Sequence, residues 1–284
     1  MTRPLHPSEL GDRVLVIAPH PDDEVLVAGG TIHALRALGA EVRIVLLTAG
    51  DGYLRAARRI GRLNPDSATY RRLGEVRFRE SVEAAAVLGV PDRDVVCLGY
   101  PDGRLEDMWG NAWEPDAAVA GRSGVAAVPY PWAYRPDAPC CGAAMSDDLA
   151  AIVADAAPDT VIFPGANETH VDHAASHRFV AHSLRTNGSR ARGLTYLVHY
   201  GHYPYPWAYR PADAMRPPRA LRAGGLRWLS VPLEHDDVSA KDAALRAFPS
   251  QNAIPDLRHF MRAFVRADEL FAEFDPDGAE GLRT

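Results

Sequence analysis

The sequence predicts an α/β fold: a Rossmann-like, mostly parallel sheet with helices on both faces and long loops over the carboxyl-terminal edge of its strands. Three observations predict it. Short apolar runs, Val14–Ile17 and Val42–Thr48, read as strands buried in a sheet. Helical apolar spacing from Val25 to Leu38, closed by Gly39, separates them, and strand, helix and strand within about 35 residues make a βαβ unit. The same alternation then continues nearly to the end of the chain.

Taken in order, Tyr70–Leu88 reads as the next helix, ended by Gly89, and Asp94–Leu98 as the next strand. Ser146 is placed to cap a helix over Asp147–Ala157, and Thr160–Phe163 follows as a strand. His173–Leu184 has helical spacing; Leu194–His199 and Leu226–Val231 are further strand candidates. Ser239–Ala247 and Asp256–Ala272 read as closing helices. A chain of 284 residues can hold one large α/β domain or two small ones, and the unbroken rhythm favours a single domain over 1–284.

Two stretches break the rhythm, Asp102–Cys141 and Tyr200–Pro218, both rich in proline, glycine and aromatics. Loops of this length in a compact domain serve as lids or substrate walls. Both contain the octapeptide Pro-Tyr-Pro-Trp-Ala-Tyr-Arg-Pro, at Pro129–Pro136 and Pro204–Pro211. Two readings stand: rigid loops that bury their tryptophans, or aromatic walls in which Trp132 and Trp207 contact a sugar ring or a large apolar substrate.

Composition excludes several classes of function. A net charge of −6 argues against a nucleic-acid or anionic-membrane surface. No apolar stretch approaches the ~18–20 residues needed to cross a bilayer, and Met1-Thr2-Arg3-Pro4 does not open a signal pattern. Three cysteines are too few for a disulfide framework, so a cytoplasmic protein is expected, with oligomerisation left open.

The chemistry gathers where strands end. Directly after Val14–Ile17 comes Ala18-Pro19-His20-Pro21-Asp22-Asp23-Glu24, one imidazole and three carboxylates at the edge where open α/β sheets bind ligands. His20 and Asp23 can face one point if Pro21 stiffens the turn. Zinc accepts imidazole and carboxylate together, and a catalytic site takes three protein ligands with a position left for water. The missing ligand has a source in Asn167-Glu168-Thr169-His170-Val171-Asp172-His173, again directly after an apolar strand. His170 and His173, at i and i+3, can both face the site from a helix start. A buried polar network without a cation would strand several carboxylates.

These two segments resemble the PIG-L/LmbE-like superfamily of zinc-dependent N-acetylglucosamine deacetylases. Thr48-Ala49-Gly50-Asp51-Gly52, Arg77 with Glu80, Leu98-Gly99-Tyr100-Pro101-Asp102-Gly103, and Lys241 with Ser250-Gln251 support it. The resemblance implies one Zn2+ per chain held by His20, Asp23 and His173, with Asp22 as the base that takes the proton of the attacking water. It also implies that Arg77 and Asp102 grip sugar hydroxyls; the competing reading pairs Arg77 with Glu80. His170, if protonated, steadies the oxyanion or serves as acid. Asp172 is placed to orient a histidine, and Asp51 is a turn residue or an orienting acid. Glu24 suits the first turn of the following helix. The expected function is removal of an N-acyl group from an N-acylglucosaminyl substrate. The long loops fit a glycosylated natural product such as a glycopeptide pseudoaglycone. The alternatives are an amidase on a thiol conjugate or another non-sugar amide, or an inactive binding homologue.

Among the other histidines, His177 is the one spaced to compete as a ligand, and His199 and His202 flank the second aromatic loop. His235 suits a helix start, and Cys97 a buried strand position.

Overall fold

The computed structural model describes residues 2–61, 63–222 and 225–275. The first half of the chain runs β1 (Arg3–Pro4), β2 (Arg13–Ala18), α1 (Asp23–Ala37), β3 (Glu41–Thr48), α2 (Leu54–Ile60), α3 (Ser67–Val87), β4 (Val95–Tyr100) and α4 (Leu105–Gly110). The second half runs α5 (Gly142–Ala156), β5 (Thr160–Pro164), α6 (Val171–Thr186), β6 (Arg192–Tyr196), β7 (Trp228–Pro232), α7 (His235–Arg246), α8 (Pro249–Asn252), α9 (Pro255–Ala263) and β8 (Asp268–Glu273).

The eight strands among the described residues join one sheet in the order β1-β7-β8-β6-β5-β2-β3-β4. Pairing is parallel except at β8, which runs antiparallel between β6 and β7. From β2 the chain steps outward through β3 and β4, then returns to lay β5 on the opposite side of β2. The crevice between β2 and β5 is therefore the topological switch point, where open α/β sheets bind ligands. Leu15, Val16, Ile17, Val45, Val161 and Ile162 are all fully buried, which explains why the central strands read as continuous apolar runs. None of the helices among the described residues is long and apolar enough to cross a membrane.

Four expectations need correction. The helix expected over Asp256–Ala272 ends at Ala263, where Arg266 Nε donates to the Ala263 carbonyl at 2.8 Å. The rest becomes β8, whose residues are nearly all buried, so no period of two marks it as a strand. The helix expected from Ser146 begins at Gly142. Its first amides, Gly142 N and Ala143 N, donate to the carbonyls of Ala112 and Trp113, so no capping side chain is needed. The loop after β4 holds a short helix, α4. Finally, the strand expected over Leu194–His199 is shifted to Arg192–Tyr196, set by its parallel register on β5.

Helix α1 packs closely against α7, where a methyl on Gly29 would press on the Lys241 side chain at 3.1 Å, and Gly30 leaves room for Leu233 just before α7. Beneath that contact the single lysine of the sequence, Lys241, lies fully buried with its Nζ 2.6 Å from Glu269 Oε1. Glu269 also accepts from the amides of Gly30 and Thr31, so one carboxylate ties β8 to α1 and α7. Losing one member of a buried ion pair leaves an uncompensated charge, at ~3–5 kcal/mol. Lys241→Met is accordingly expected to lower unfolding stability by ~3 kcal/mol, read as a shifted urea midpoint at constant m-value. An unshifted midpoint would mean that this pair does not hold the helix to the sheet.

Candidate active site

Strand β2 delivers the first segment. Past Ala18, the Pro19 carbonyl accepts from Thr48 N and Thr48 Oγ1 at the end of β3, which fixes where the chain turns. Asp22 caps α1 with φ 112° and ψ −30°, a left-handed conformation that strains an L-residue. The strain is held from two sides: Asp22 N donates to Glu24 Oε2 at 2.9 Å, and Arg77 Nη2 donates to Asp22 Oδ2 at 3.0 Å. Glu24, also bonded by Ser81 Oγ, acts at the helix start. Burial raises its carboxyl to about 8, so it is neutral at pH 7.

Strand β5 delivers the second segment. His170 caps α6 by accepting from Asp172 N at 3.3 Å through Nδ1, and His173 follows in the first turn. The two segments meet at Asp23. Its Oδ2 lies 3.3 Å from His20 Nδ1 and 3.2 Å from His173 Nε2. The His20 ring stands 5.0 Å from that of His170 and 5.3 Å from that of His173, centroid to centroid.

Carboxylates surround this centre. His20 Nε2 is 3.1 Å from Asp172 Oδ2 and 3.4 Å from Asp102 Oδ1. Asp172, fully buried, also accepts from Gly103 N and Leu105 N, which fastens the loop after β4 onto α6. Asp102 accepts from Gly52 N, and Asp51 accepts from Asp102 N and from the Tyr130 hydroxyl. Arg77, buried beneath the loop, donates to the carbonyls of Gly50 and Pro21 as well as to Asp22. Gly50 must lack a side chain, since its φ is +65° and a methyl there would strike the guanidinium. Glu80 does not take up Arg77 but accepts from Ser250.

The titration directions follow from this geometry. Burial raises Asp22 to about 7 against the pull of Arg77, with the Asp23 charge adding to the rise. Asp23 is held well below the usual range, because the two imidazoles outweigh its burial. Although burial opposes it, Asp102, with Asp172 and Asp23, raises His20 well above its ordinary value, and Asp23 with Glu168 holds His173 up at about 9. Burial and the neighbouring imidazoles push His170 down to about 4.

The donor set suits a divalent metal. Both ring nitrogens of His173 are buried without a hydrogen bond of acceptable alignment among the described residues, though acidic oxygens lie within 3.4 Å. The donor atoms of His20, His170 and His173 lie within 4.8 Å of one another, as do those of Asp23, His173 and His199. Two imidazoles with one or two carboxylate oxygens match the ligand preference of zinc.

The remaining candidates are placed differently. His177 Nδ1 lies 3.0 Å from the Pro164 carbonyl and its ring stacks on Phe163, so it is not a competing ligand. His235 is exposed beside Asp236. The two octapeptide copies diverge. Trp132 is stacked between Phe78, at 4.3 Å, and Tyr130, at 4.6 Å, and so braces Asp51 from behind. Trp207 is 45% exposed and packs on Phe260, which stacks on His199. Two groups at the centre were not singled out from the sequence, His199 as a donor and Glu168. Glu168 Oε1 lies 3.4 Å from His173 Nδ1, and its carboxylate accepts from Val198 N and His199 N. Its position inside the same segment as His170 and His173 was the available signal.

Fold and site together define an α/β protein carrying an imidazole–carboxylate metal-type site at the carboxyl edge of its sheet. The chain belongs to the PIG-L family, described as GlcNAc-PI de-N-acetylase, which matches residues 15–184. It is 32% identical over 214 residues to a 1D-myo-inositol 2-acetamido-2-deoxy-alpha-D-glucopyranoside deacetylase of Kineococcus radiotolerans, covering 68% of this chain and 53% of that protein. A protein of the same description from Mycobacterium sp. (strain KMS) is 35% identical over 176 residues, 60% of this chain and 49% of that protein. The chain thus spans about half the length of these relatives. Among solved structures it resembles the A40926 pseudoaglycone deacetylase Dbv21 (TM-score 0.61, 18% identity, 95% of this chain and 99% of that one). It also resembles the N,N'-diacetylchitobiose deacetylase of Pyrococcus horikoshii (TM-score 0.58, 21% identity, 95% and 86%). At these identities the likeness is one of fold.

Asp51 yields a pH prediction. Burial, together with the Asp102 charge, raises its carboxyl from 3.8 to about 7. The folded chain therefore keeps a proton that the unfolded chain releases, and this contribution to stability fades as pH rises from about 4 to 7. Asp51→Asn keeps an acceptor for Tyr130 and removes the titration. It is expected to shrink the stability lost between pH 5 and pH 8 by on the order of 2 kcal/mol in urea unfolding. Equal losses in both proteins would show that Asp51 is ionised throughout.

Proposed function

We propose that the chain is a zinc-dependent N-deacetylase that hydrolyses the N-acyl amide of an N-acylglucosaminyl substrate, with one Zn2+ per chain. The observation that carries the reading is Asp23 standing between His20 and His173, with a separate buried acid, Asp22, beside them. The names borne by the relatives, deacetylases of an acetamido-sugar inositol and of an acetylglucosaminyl malate, support the substrate class. Three free, buried cysteines support a reducing, cytoplasmic setting, and one continuous sheet supports a single domain.

His20, Asp23 and His173 would hold the ion, which when bound supplies a Lewis acid and lowers the pKa of its water towards ~7. Asp22 does the proton work. With a carboxyl near 7 it is poised to accept the proton of the attacking water and to pass it to the nitrogen of the departing amine. Arg77 is a positioning residue: its guanidinium fixes Asp22 Oδ2 and leaves the other oxygen for the reacting atoms. Asp172 orients His20 from behind, and Glu168 does the same for His173. His170 need not be charged to help. Its Nδ1 accepts from Asp172 N, so the neutral ring carries its proton on Nε2 and can donate to the developing oxyanion. Trp207, beyond His199 and Phe260, offers a wall for the part of the substrate that extends past the sugar.

The test is metal analysis joined to an amine-release assay on N-acetylglucosaminides. Asp22→Ala is expected to keep its zinc and lose ~10²–10⁴-fold in kcat, whereas His173→Ala is expected to lose the metal. Wild-type turnover by Asp22→Ala, or a native protein that retains no transition metal under any condition, overturns the reading.

A further inference from the structure

Beyond the catalytic centre, the second proline-aromatic loop folds around a cavity of about 860 Å³ whose charge is at odds with the rest of the chain. The protein as a whole carries −6, yet Arg210, Arg216, Arg219, Arg222 and Arg266 all line this one cavity, against a single carboxylate, Asp213. That carboxylate is already taken up: it lies 3.1 Å from Arg210 and 4.0 Å from Arg266. Arg216, Arg219 and Arg222 have no carboxylate partner among the described residues. Arg266 is buried and anchored through Ala263 O and Pro206 O, which gives the cluster a fixed floor. Tyr203 and the 84% exposed Tyr205 add aromatic walls.

The cavity is linked to the chemistry by contiguous rings. His199 stands 4.8 Å from His173 and stacks on Phe260 at 5.6 Å. Phe260 packs on Trp207 at 5.3 Å, and Trp207 on His202 at 6.1 Å, which lines the cavity. Four ring contacts in series separate His173 from the cavity, more than one sugar ring spans, so a substrate that meets both places must carry an aglycone.

The geometry points to this cavity as a subsite for an anionic group, a carboxylate or phosphate, carried on the aglycone of the N-acylglucosaminyl substrate. The assignment rests on the deacetylase reading and extends it to a substrate class: acidic glycoconjugates. Guanidinium groups suit oxyanions because they pair with two oxygens at once. Collecting them in one cavity of an acidic protein also raises the local concentration of an anionic substrate.

The experiment uses N-acetylglucosaminides whose aglycone ends in a carboxylate, a phosphate or the isosteric carboxamide, at increasing spacer length. Wild type is expected to favour both acids over the amide by roughly tenfold or more in kcat/KM at one spacer length, an effect the size of one charge-assisted contact. Arg216→Gln/Arg219→Gln, two exposed positions, is expected to abolish the preference and leave turnover of the carboxamide unchanged. Turnover of all three without preference, or a preference that survives in the variant, overturns the subsite and leaves the deacetylase reading intact. If none is turned over, that reading fails. Calorimetry with the carboxylate- and carboxamide-terminated glucosaminides then decides the subsite alone, with selective binding lost in the variant supporting it and equal binding overturning it. Loss of binding to anionic phospholipid vesicles in the variant, without any acid preference among the glucosaminides, would assign the arginines to a membrane surface and likewise overturn it.

Discussion

Parallel pairing of β2 with β5 is the constraint on which the site depends. Val14, Leu15 and Val16 stand opposite Thr160, Val161 and Ile162, and that register brings the ends of the two strands to the same edge. His20 and Asp23 arrive from one strand, His170 and His173 from the other, with His20 and His170 150 positions apart in the chain. A slip of one residue would turn every side chain of the strand to its opposite face and move one half of the centre away from the other. Both faces of these strands are covered, so such a slip would exchange buried side chains of different size between two packed faces, and close packing and site assembly therefore favour the same register.

What gathers at that edge is an excess of buried acid. Asp22, Asp23, Asp102 and Asp172 lie around two imidazoles and are compensated in different ways: Arg77 for Asp22, His20 and His173 for Asp23, backbone amides for Asp172, and an amide together with His20 for Asp102. Two neighbouring aspartates thereby acquire opposite tendencies, one inclined to hold a proton near neutrality and the other to stay charged. Divergence of that kind is what the proposed division into a base and a metal ligand requires.

Much of this was legible in the sequence because strand-end clusters of His and Asp are hard to explain as packing, and the βαβ rhythm says which strands are neighbours. The illegible parts have identifiable reasons. β8 hid inside a helical reading because a strand buried on both sides shows no alternation. The start of α5 hid because its amides bond to backbone carbonyls 30 residues away, which no local cap announces. Glu168 and His199 hid because their roles depend on how β6 returns beside β5. The duplicated octapeptide is the clearest case: the same eight residues bury Tyr130 in one place and leave Tyr205 almost wholly exposed in the other.

The backbone of Asp22 carries an evolutionary consequence. A side chain held at φ 112° opposes the preference of every residue except glycine, a penalty of ~1–3 kcal/mol that the neighbouring contacts must offset. Glycine would relieve that strain but leave the Arg77 guanidinium buried without its carboxylate, at a cost of the same order or larger, so a descendant of this chain gains no stability by giving up the acid.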